Sequence, residues 1–564
     1  MGAVRRWAPL EFVTAGSVPL AAARTGLRWE IAPMQYRQTI ATATETDDRV
    51  EPRSGVADLI VGVSGVRRNA SVAACLNGRL TAFCEQERLT RVRSARLDPG
   101  MIPSESLDAV LRLTGRRPSD VVKFVLAEAD AHLPDVPSLV RIDHHLAHAS
   151  GAFYTSPFDR AAVLVCDRHS VPPMSAWAAG PDGLRDCDWN SGTARNGQPG
   201  LAALYTQCAE AFGLEAGQEH QLEALARLDP GESADRLSGL MAYRDGAMWT
   251  LPGWRSLLDA WVGENSGLGH RARVAAACQR HIGQMLLDIA RDVHARVGLP
   301  TLCVGGGLFY NTYFTTALMN SGIFQDVFVA PNPGNPGLAA GAALAASTAR
   351  PARARMVSPY LGPQFDLEEI KATLDNCKLS YECVSEADAV AVTVEALRRG
   401  HLVGWFQGRM EWGHRALGNR SILASPLSRY ALDNLNVFLK QRDRHRAYGV
   451  SVLESAAPGI FSGPPHSRFM EFEYEVRDRD RFRSILPMGT RALRVQTIPD
   501  AGEDALRFRE LHLAFGQATG VPVLVNTSFN GLSEPMVCTP RDAVRVFFGT
   551  GLDLLVLDRF ILRK

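Results

Sequence analysis

The sequence predicts an α/β protein with more than one domain. Apolar runs of strand length alternate with longer stretches of helical periodicity, and several of the strands run directly into glycine turns. A chain of 564 residues is also too long for a single hydrophobic core. The composition, with 46% hydrophobic and 21% charged residues, is typical of a globular protein. The formal net charge of +1 creates no global attraction to nucleic acid or to a membrane.

The first ordered element is predicted after a leader. Residues 1–56 are expected to be disordered, because 41–54 is polar and has too little apolar content to fold alone. Strand 58–65 follows, and strands 71–76 and 80–84 form a hairpin around Asn77-Gly78. A helix with a serine cap is predicted from Ser104 to Leu113. Further predictions are strands at 122–126, 162–166 and 301–304, a long helix at 274–297 and a small-residue helix at 338–346.

A proline-rich linker is predicted at residues 351–363. We therefore expect one α/β domain over 57–352 and a second over 353–564. No sequence repeat of 20–50 residues is evident. Ten cysteines without a C-x-x-C pair favour reduced thiols and a cytoplasmic protein. No apolar run approaches the roughly 20 residues that span a bilayer.

A histidine pair is the clearest functional motif. His144 and His148 lie four residues apart in the stretch 143–150. If this stretch opens a helix, the two imidazoles share one face and can bind the same cation. Imidazole with oxygen ligands would suit iron, manganese or zinc. The alternative is that one histidine caps a helix and the other forms a hydrogen bond in the core.

Two glycine-rich loops point to a nucleotide cleft. Residues 305–307 follow a strand, and residues 331–337 precede the helix at 338–346. Backbone N–H groups in such turns can bind phosphate oxygens. Each loop alone is more often an ordinary turn, but both lie in a domain that opens with a Gly-x-x-Gly turn at 62–65.

Residues 407–446 form a basic run in which Gly408, Gly413 and Gly418 separate the arginines. Guanidinium groups bind phosphate through two parallel hydrogen bonds and stay charged at every relevant pH. A pocket for a polyphosphate or acyl phosphate, a nucleic-acid surface and a solvated charged face are the possible interpretations. We favour the small anion pocket and expect no nucleic-acid partner.

Four stretches of this chain resemble the O-carbamoyltransferases of antibiotic tailoring, a family that includes the nodulation-factor, cephamycin and tobramycin carbamoyltransferases. They are residues 143–158, residues 306–311 with 329–344, residues 404–426 and residues 521–540. Their order along the chain is also that of the family, and the similarity extends over roughly residues 58–564.

The resemblance implies a two-step reaction in two domains. The N-terminal domain would be an actin-like ATPase domain of the kind found in tRNA threonylcarbamoyl transferases, and the C-terminal domain would be YrdC-like. The C-terminal domain would form carbamoyl adenylate from carbamoyl phosphate and ATP with Mg²⁺. The N-terminal domain would then pass the carbamoyl group to a hydroxyl of a secondary metabolite, in a step that uses Fe²⁺ in the family.

The resemblance also implies the site residues. His144, His148, Arg68 and Asn69 fall at catalytic positions, and His144, His148 and Asn335 fall at metal positions. The residues expected to bind ATP and carbamoyl phosphate are Arg409, Arg415, Arg420, Lys440, Arg442, Arg446, Arg494, Asn526, Ser528, Asn530, Gly306, Gly307 and Asn311.

Several of these positions depart from the family pattern. Asn335 stands where the family has an aspartate ligand, and Arg68-Asn69 replaces a His-Asp pair. An amide binds transition metals more weakly than a carboxylate does. Other departures are Arg168-His169, Gln221 to Ala224, His414, Asp443 to Val450, Met488 to Thr490 and Gly531 to Glu534.

Three functions are therefore open at this point. The chain is an active carbamoyltransferase, a changed enzyme that delivers an acyl or carbamoyl group differently, or a non-catalytic scaffold descended from the enzyme. The expected partners are a small-molecule hydroxyl acceptor and, as a further possibility, a second copy or an intact family enzyme. The sequence does not identify the acceptor.

Overall fold

Two five-stranded sheets of the same connectivity form the N-terminal part of the computed structural model. The first contains β1 (Leu59–Ser64), β2 (Ser71–Leu76), β3 (Arg79–Glu85), β4 (Val121–Leu126) and β5 (Leu139–Arg141), in the order β3-β2-β1-β4-β5. The second contains β6 (Ala161–Cys166), β7 (Met174–Gly180), β8 (Gly183–Asp186), β11 (Thr301–Gly305) and β12 (Asp326–Val329), in the order β12-β11-β6-β7-β8. A separate hairpin pairs β9 (Met241–Arg244) with β10 (Ala247–Thr250).

Each five-stranded sheet starts as an antiparallel meander of three strands. Two further strands then add in parallel beside its first strand, β4 and β5 in one sheet and β11 and β12 in the other. This duplicated arrangement is the actin-like fold that the resemblance implies. The two sheets share their strand connectivity, but no sequence repeat accompanies this duplication.

The C-terminal part is built on a mixed ten-stranded sheet. Its strands are β13 (Glu382–Cys383), β14 (Val403–Phe406), β15 (Arg420–Ala424), β16 (Gly449–Leu453), β17 (Phe461–Ser462), β18 (Phe472–Val476), β19 (Ala492–Ile498), β20 (Val523–Ser528), β21 (Leu554–Leu557) and β22 (Phe560–Arg563). Their order is β13-β22-β21-β14-β15-β20-β16-β19-β18-β17. The α/β class predicted from the sequence is therefore confirmed in both parts.

The helices cover and connect these sheets. In the N-terminal part they are α1 (Gln86–Thr90), α2 (Ser104–Thr114), α3 (His144–Tyr154), α4 (Leu201–Ala211), α5 (Glu219–Ala226), α6 (Trp254–Gly263), α7 (Leu268–Val297), α8 (Thr312–Asn320) and α9 (Leu338–Ala346). In the C-terminal part they are α10 (Leu367–Asn376), α11 (Glu386–Arg398), α12 (Ala431–Asp433), α13 (Ala457–Ile460), α14 (Leu506–Thr519) and α15 (Pro540–Gly549). Short 3₁₀ helices lie at Pro118–Asp120, Gly307–Tyr310 and Asn335–Gly337, and a π-helix lies at Asn434–Leu439.

The structure describes residues 58–564 except 67, 98–100, 129–135, 137, 169, 190–197, 230, 232–235, 348–355, 488 and 503. The predicted leader, part of the predicted linker, and His169 and Met488 of the sequence departures thus lie outside the described residues. None of the described helices is both long and apolar enough to cross a bilayer.

The predicted strands and helices are present in the structure, and the differences concern where some of them begin. The strands and the Asn77-Gly78 hairpin lie where they were expected, and the long helix α7 begins earlier, at Leu268. The predicted serine cap is wrong. Ser104 is the first residue of α2, and the capping position belongs to Pro103, which has no side-chain cap bond.

Two helices of small residues meet between the five-stranded sheets. Helix α9 packs on β1 and β2, α3 packs on β6 and β11, and the two helices pack on each other. Glycines permit this closeness. A Cβ at Gly341 would lie 1.9 Å from the carbonyl oxygen of Ala147, and one at Gly62 would lie 1.9 Å from that of Ala339. This packing fixes α3, the helix that carries the histidine pair.

We expect Gly341→Ala to lower the free energy of unfolding by about 1–3 kcal/mol, because the added methyl must push the α3 backbone away. Gly269→Ala is the matched control, since its Cβ in the exposed first turn of α7 would meet nothing within 4 Å. The control should leave stability unchanged or raise it by up to about 1 kcal/mol. Denaturant unfolding measures both, and a Gly341→Ala protein as stable as the wild type would contradict the close packing of α3 and α9.

Candidate active site

One large cavity, of about 1450 Å³, is lined by residues from both parts of the chain. Its walls include the ends of the five-stranded sheets, helix α5 and loops of the ten-stranded sheet. The sequence-predicted residues that line it are Arg68, Asn69, Gly307, Asn311, Asn335, Arg415, Lys440, Arg442, Arg446, Arg494, Asn526, Ser528 and Asn530. The structure therefore brings most of the predicted site together around a single space.

His144, His148 and Asp167 form a group able to hold a metal ion. Asp143 caps α3 by accepting a hydrogen bond from the N–H of Leu146 at 2.9 Å, and the helix therefore begins at His144. The two imidazole centroids are 4.9 Å apart. One ligand atom from each of the two histidines and from Asp167 lies within 4.8 Å of the others. The predicted placement of both imidazoles on one helical face is confirmed.

The protonation of this group suits a cation. Burial, with a further contribution from His144, lowers the pKa of His148 to about 3, so its ring is neutral and can donate a lone pair. Its Nε2 is buried and has no hydrogen-bond partner among the described residues. The Asp167 carboxylate, 3.2 Å from His144 Nε2, supplies negative charge. A divalent cation fits this donor set of two nitrogens and one carboxylate oxygen.

The sequence interpretation named Asn335 as the third metal position and did not name Asp167, which the structure places beside the two histidines. Asp167 comes directly after β6, and the end of that strand lies beside the start of α3. Asn335 does lie next to the group, where its side chain interacts with His148 and favours the protonated ring. The chain thus offers a carboxylate as the third group, and Asn335 adds a neutral amide beside it.

Four arginines line the cavity. We call Arg415, Arg442, Arg446 and Arg494 the arginine wall. Burial, with help from Arg442, lowers the pKa of Arg446 to about 10. Burial and then Arg415 lower the pKa of Arg494 well below its usual range. Crowded cations of this kind destabilise one another, and a bound polyanion relieves the repulsion.

Glu223 on α5 partly neutralises this wall. Its Oε1 accepts hydrogen bonds from Arg227 at 2.5 Å and from the N–H of Thr312 at 3.1 Å. Its Oε2 lies 3.8 Å from Arg494. Burial raises the pKa of Glu223, but the surrounding arginines outweigh it and bring the pKa to about 2. Glu223 is therefore a buried anion that the sequence interpretation did not predict.

Unsatisfied polar atoms lie along the same wall. The hydroxyl of Tyr448, the Oδ1 of Asn526 and the Nε of Arg415 are buried and have no hydrogen-bond partner among the described residues. All three residues line the cavity. Buried polar groups are seldom left without partners in a folded protein, so these atoms point to a polar ligand.

Lys440 fixes the loop after β20. Its ammonium group donates to the carbonyls of Ser528 at 2.7 Å and Asn530 at 2.8 Å and to the side chain of Asn530 at 2.5 Å. Burial, and then Arg442, lower the pKa of Lys440 well below its usual range. Its three donors hold Ser528 and Asn530 at the cavity.

Arg420 and Arg409, which were predicted to bind ATP and carbamoyl phosphate, lie away from the cavity. Arg420 is fully buried, lies 3.6 Å from the centroid of the Phe406 ring and donates only to backbone carbonyls. Arg409 donates to the carbonyls of Leu361 at 2.6 Å and Thr81 at 2.9 Å. Neither lines the cavity, because their guanidinium groups cross-link loops.

Two further residues that were predicted to bind ATP and carbamoyl phosphate, Gly306 and Asn311, have structural roles. A Cβ at Gly306, where φ is +105°, would lie 2.0 Å from the carbonyl oxygen of Cys166, so this glycine permits close packing of strand ends. Gly306 does not line the cavity, whereas Gly307 does. Asn311 lines it, but its amide donates to Tyr205 and Gln279 and its oxygen caps α8.

Arg68 and Asn69 lie near the start of the first sheet and line the cavity. Arg68 is exposed, and its guanidinium is 3.5 Å from the hydroxyl of Ser94. The backbone N–H of Asn69 donates to the carbonyl of Ser94 at 3.2 Å. Their catalytic role stays a prediction.

Comparison with known proteins identifies the family of the chain. Residues 255–344 match the model for the carbamoyltransferase N-terminus, and residues 394–564 match that for the carbamoyltransferase C-terminus. An uncharacterized protein of Synechocystis sp. is 32% identical over 79% of both chains. Nodulation protein NolO of Bradyrhizobium diazoefficiens is 31% identical over 75% of this chain and 79% of its own.

Similar solved structures share low identity with the chain. Full-length HypF in its phosphate- and nucleotide-bound form is 12% identical, with a TM-score of 0.39, over 52% of this chain and 48% of HypF. The family assignment rests on the sequence relatives, two of which are more than 30% identical over most of their length. The chain belongs to the carbamoyltransferase family of enzymes.

Proposed function

We propose that the protein transfers the carbamoyl group of carbamoyl phosphate to a hydroxyl of a secondary metabolite, with ATP as co-substrate and carbamoyl adenylate as intermediate. The observation that carries the proposal is the single cavity that is lined both by the arginine wall and by Asp167 of the His144–His148–Asp167 group. Cations suited to phosphates and one carboxylate of the metal group thereby face the same space, and His144 and His148 lie directly behind that carboxylate.

The arginine wall suits the first step. Water must first hydrolyse carbamoyl phosphate to carbamate and phosphate. An oxygen of the carbamate can then attack the α-phosphorus of ATP. The bond from that phosphorus to the leaving pyrophosphate then breaks, so each adenylate formed releases one phosphate and one pyrophosphate. Negative charge develops on phosphate oxygens throughout, and fixed guanidinium groups in a buried site stabilise it. Mg²⁺ would accompany the triphosphate.

The metal group suits the transfer step. His144, His148 and Asp167 would hold a divalent cation, with Fe²⁺ as the proposed ion and Asn335 beside it. Such a cation would polarise the carbamoyl carbonyl. The hydroxyl oxygen of the acceptor then attacks the carbamoyl carbon, and the carbon–oxygen bond to AMP breaks. The arginine wall keeps hold of the leaving phosphate during this step.

A pyrophosphate exchange assay tests the first step directly. Purified protein, ATP, Mg²⁺ and labelled pyrophosphate should give labelled ATP only when carbamoyl phosphate is present. No exchange, together with no shift in melting temperature on adding ATP, would contradict both enzymatic functions and favour a non-catalytic scaffold. If another acyl phosphate supports exchange equally well, the result favours an enzyme that delivers an acyl or carbamoyl group differently.

Arg446→Met should weaken ATP binding about 10- to 100-fold, because it removes a charge-assisted hydrogen bond worth about 1.5–3 kcal/mol. Arg429→Met is the matched control. Arg429 belongs to the same basic run, but it is exposed, packs against Tyr430 and does not line the cavity. Calorimetric titration with ATP measures both proteins, and equal affinities would place the nucleotide outside the arginine wall.

Asn335→Asp should tighten divalent-cation binding by roughly tenfold, the scale on which groups beside a metal ion act. The replacement adds a carboxylate next to His148, whereas Asp167→Asn removes one and should weaken binding. Asn265→Asp adds the same charge at an exposed position and serves as control. Anaerobic titration with Fe²⁺ gives the affinities, and identical values for all these proteins would contradict the assigned metal group.

A further inference from the structure

His220 is an accessible histidine inside the cavity. It is the second residue of α5, it lines the cavity, and its ring is exposed to it. Among the described residues no hydrogen bond or ion pair engages this ring. The charged groups that face it are Arg446, Arg415 and Arg494 of the arginine wall and Glu223, one turn along the same helix. Its lone pair is therefore available to a ligand.

The helix that carries His220 makes contacts on both sides of it. Glu219, the preceding residue, pairs at 3.1 Å with Arg168, which follows the metal-group residue Asp167 in the chain. Glu223, three residues further on, lies 3.8 Å from Arg494 of the arginine wall. His220 thus lies on α5 between the residue that pairs with Arg168 and the residue that lies beside the arginine wall, and an acceptor that approaches the adenylate along α5 would pass it.

We propose that His220 accepts the proton of the acceptor hydroxyl as the carbamoyl group is transferred. This inference rests on the proposed function. The hydroxyl oxygen forms a bond to the carbamoyl carbon, the bond from that carbon to the AMP oxygen breaks, and the hydroxyl proton moves to a ring nitrogen of His220. AMP leaves as an anion, and His220 returns the proton to water.

Three titratable groups close to His220 are less available to a substrate than His220 is. Glu219 accepts hydrogen bonds from Arg168 and Thr206, and Glu223 is held by Arg227 and Thr312. His414 also lines the cavity, but its ring packs edge-on against Tyr310, with 4.3 Å between the ring centroids. His220 combines an available lone pair with an open path to the cavity.

The arginine wall couples the basicity of His220 to the ligand. The cavity walls around the ring, and then Arg446, Arg415 and Arg494, lower the pKa of His220 to about 4, although part of the ring stays open to solvent; Glu223 opposes the shift. A phosphate bound to these arginines offsets their charge, so the pKa of His220 should move back towards its ordinary value near 6.5. A general base is most effective when its pKa lies near the working pH. His220 would thus become an effective base when the adenylate is in place.

His220→Gln separates the two steps. Water is the acceptor when no other hydroxyl compound is added, so AMP formation reports transfer and pyrophosphate exchange reports adenylate formation. We expect His220→Gln to keep exchange within about threefold of the wild type and to slow AMP formation about 100-fold, the usual contribution of a general base. Exchange retained in this way also shows that the variant is folded.

The pH profile distinguishes a base from a merely structural residue. AMP formation by the wild type should rise with pH through one ionisation, and His220→Gln should lose that dependence. His401→Gln is the control, because His401 lies after α11 and does not line the cavity. Equal losses in both steps, or no loss in either, would overturn the role of His220.

Imidazole NMR gives a test that needs no turnover. The resonance absent from the His220→Gln spectrum belongs to His220, and its titration is followed with and without inorganic pyrophosphate. Pyrophosphate should move the titration to higher pH. A titration that pyrophosphate leaves unmoved would overturn the His220 proposal alone, whereas a wild-type protein without carbamoyl phosphate-dependent exchange would contradict the proposed function itself.

Discussion

The crowding of four guanidinium groups along one cavity wall is the constraint on which the site depends. Buried cations repel one another, and burial lowers the pKa of each of them. The protein holds them in place with buried anions. Arg227 bridges Glu223 on α5 and Glu473 on β18, and Thr312 on α8 donates to both carboxylates. This network connects the N-terminal part to the ten-stranded sheet at the cavity.

The metal group depends on a different kind of constraint. His144 and His148 are positioned by α3, which is fixed by the close approach of α9 through Gly341. Asp167 lies at the end of β6, and Asn335 lies in the loop that leads into α9. Three separate chain segments therefore meet where β6 and the two helices pack, so the geometry of this group follows from the actin-like core.

Much of the fold could be predicted from the sequence because it follows from local patterns. Residues that are neighbours in the sequence determine the apolar strands, the Asn77-Gly78 hairpin and the capped start of α3. The shared connectivity of the two five-stranded sheets could not be found in this way, because no repeat accompanies it. The role of Asp167 was also missed, since it depends on the end of β6 lying beside α3.

The arginines show the same limit. Arg420 and Arg446 belong to one basic run and look equivalent in the sequence. The structure places Arg420 among backbone carbonyls, which use its donors, and places Arg446 at the cavity. Which arginine can bind a ligand depends on how loops distant in sequence wrap around it. Glu223 and His220 were missed for a related reason, because their partners on the arginine wall come from the other part of the chain.

A structure of the protein with ATP and Fe²⁺ bound is the most direct measurement of whether one cavity serves both steps. The nucleotide phosphates should lie against Arg415, Arg446 and Arg494, and an anomalous peak for iron should lie between His144, His148 and Asp167. Nucleotide bound away from the arginine wall, or iron coordinated elsewhere, would contradict a shared cavity.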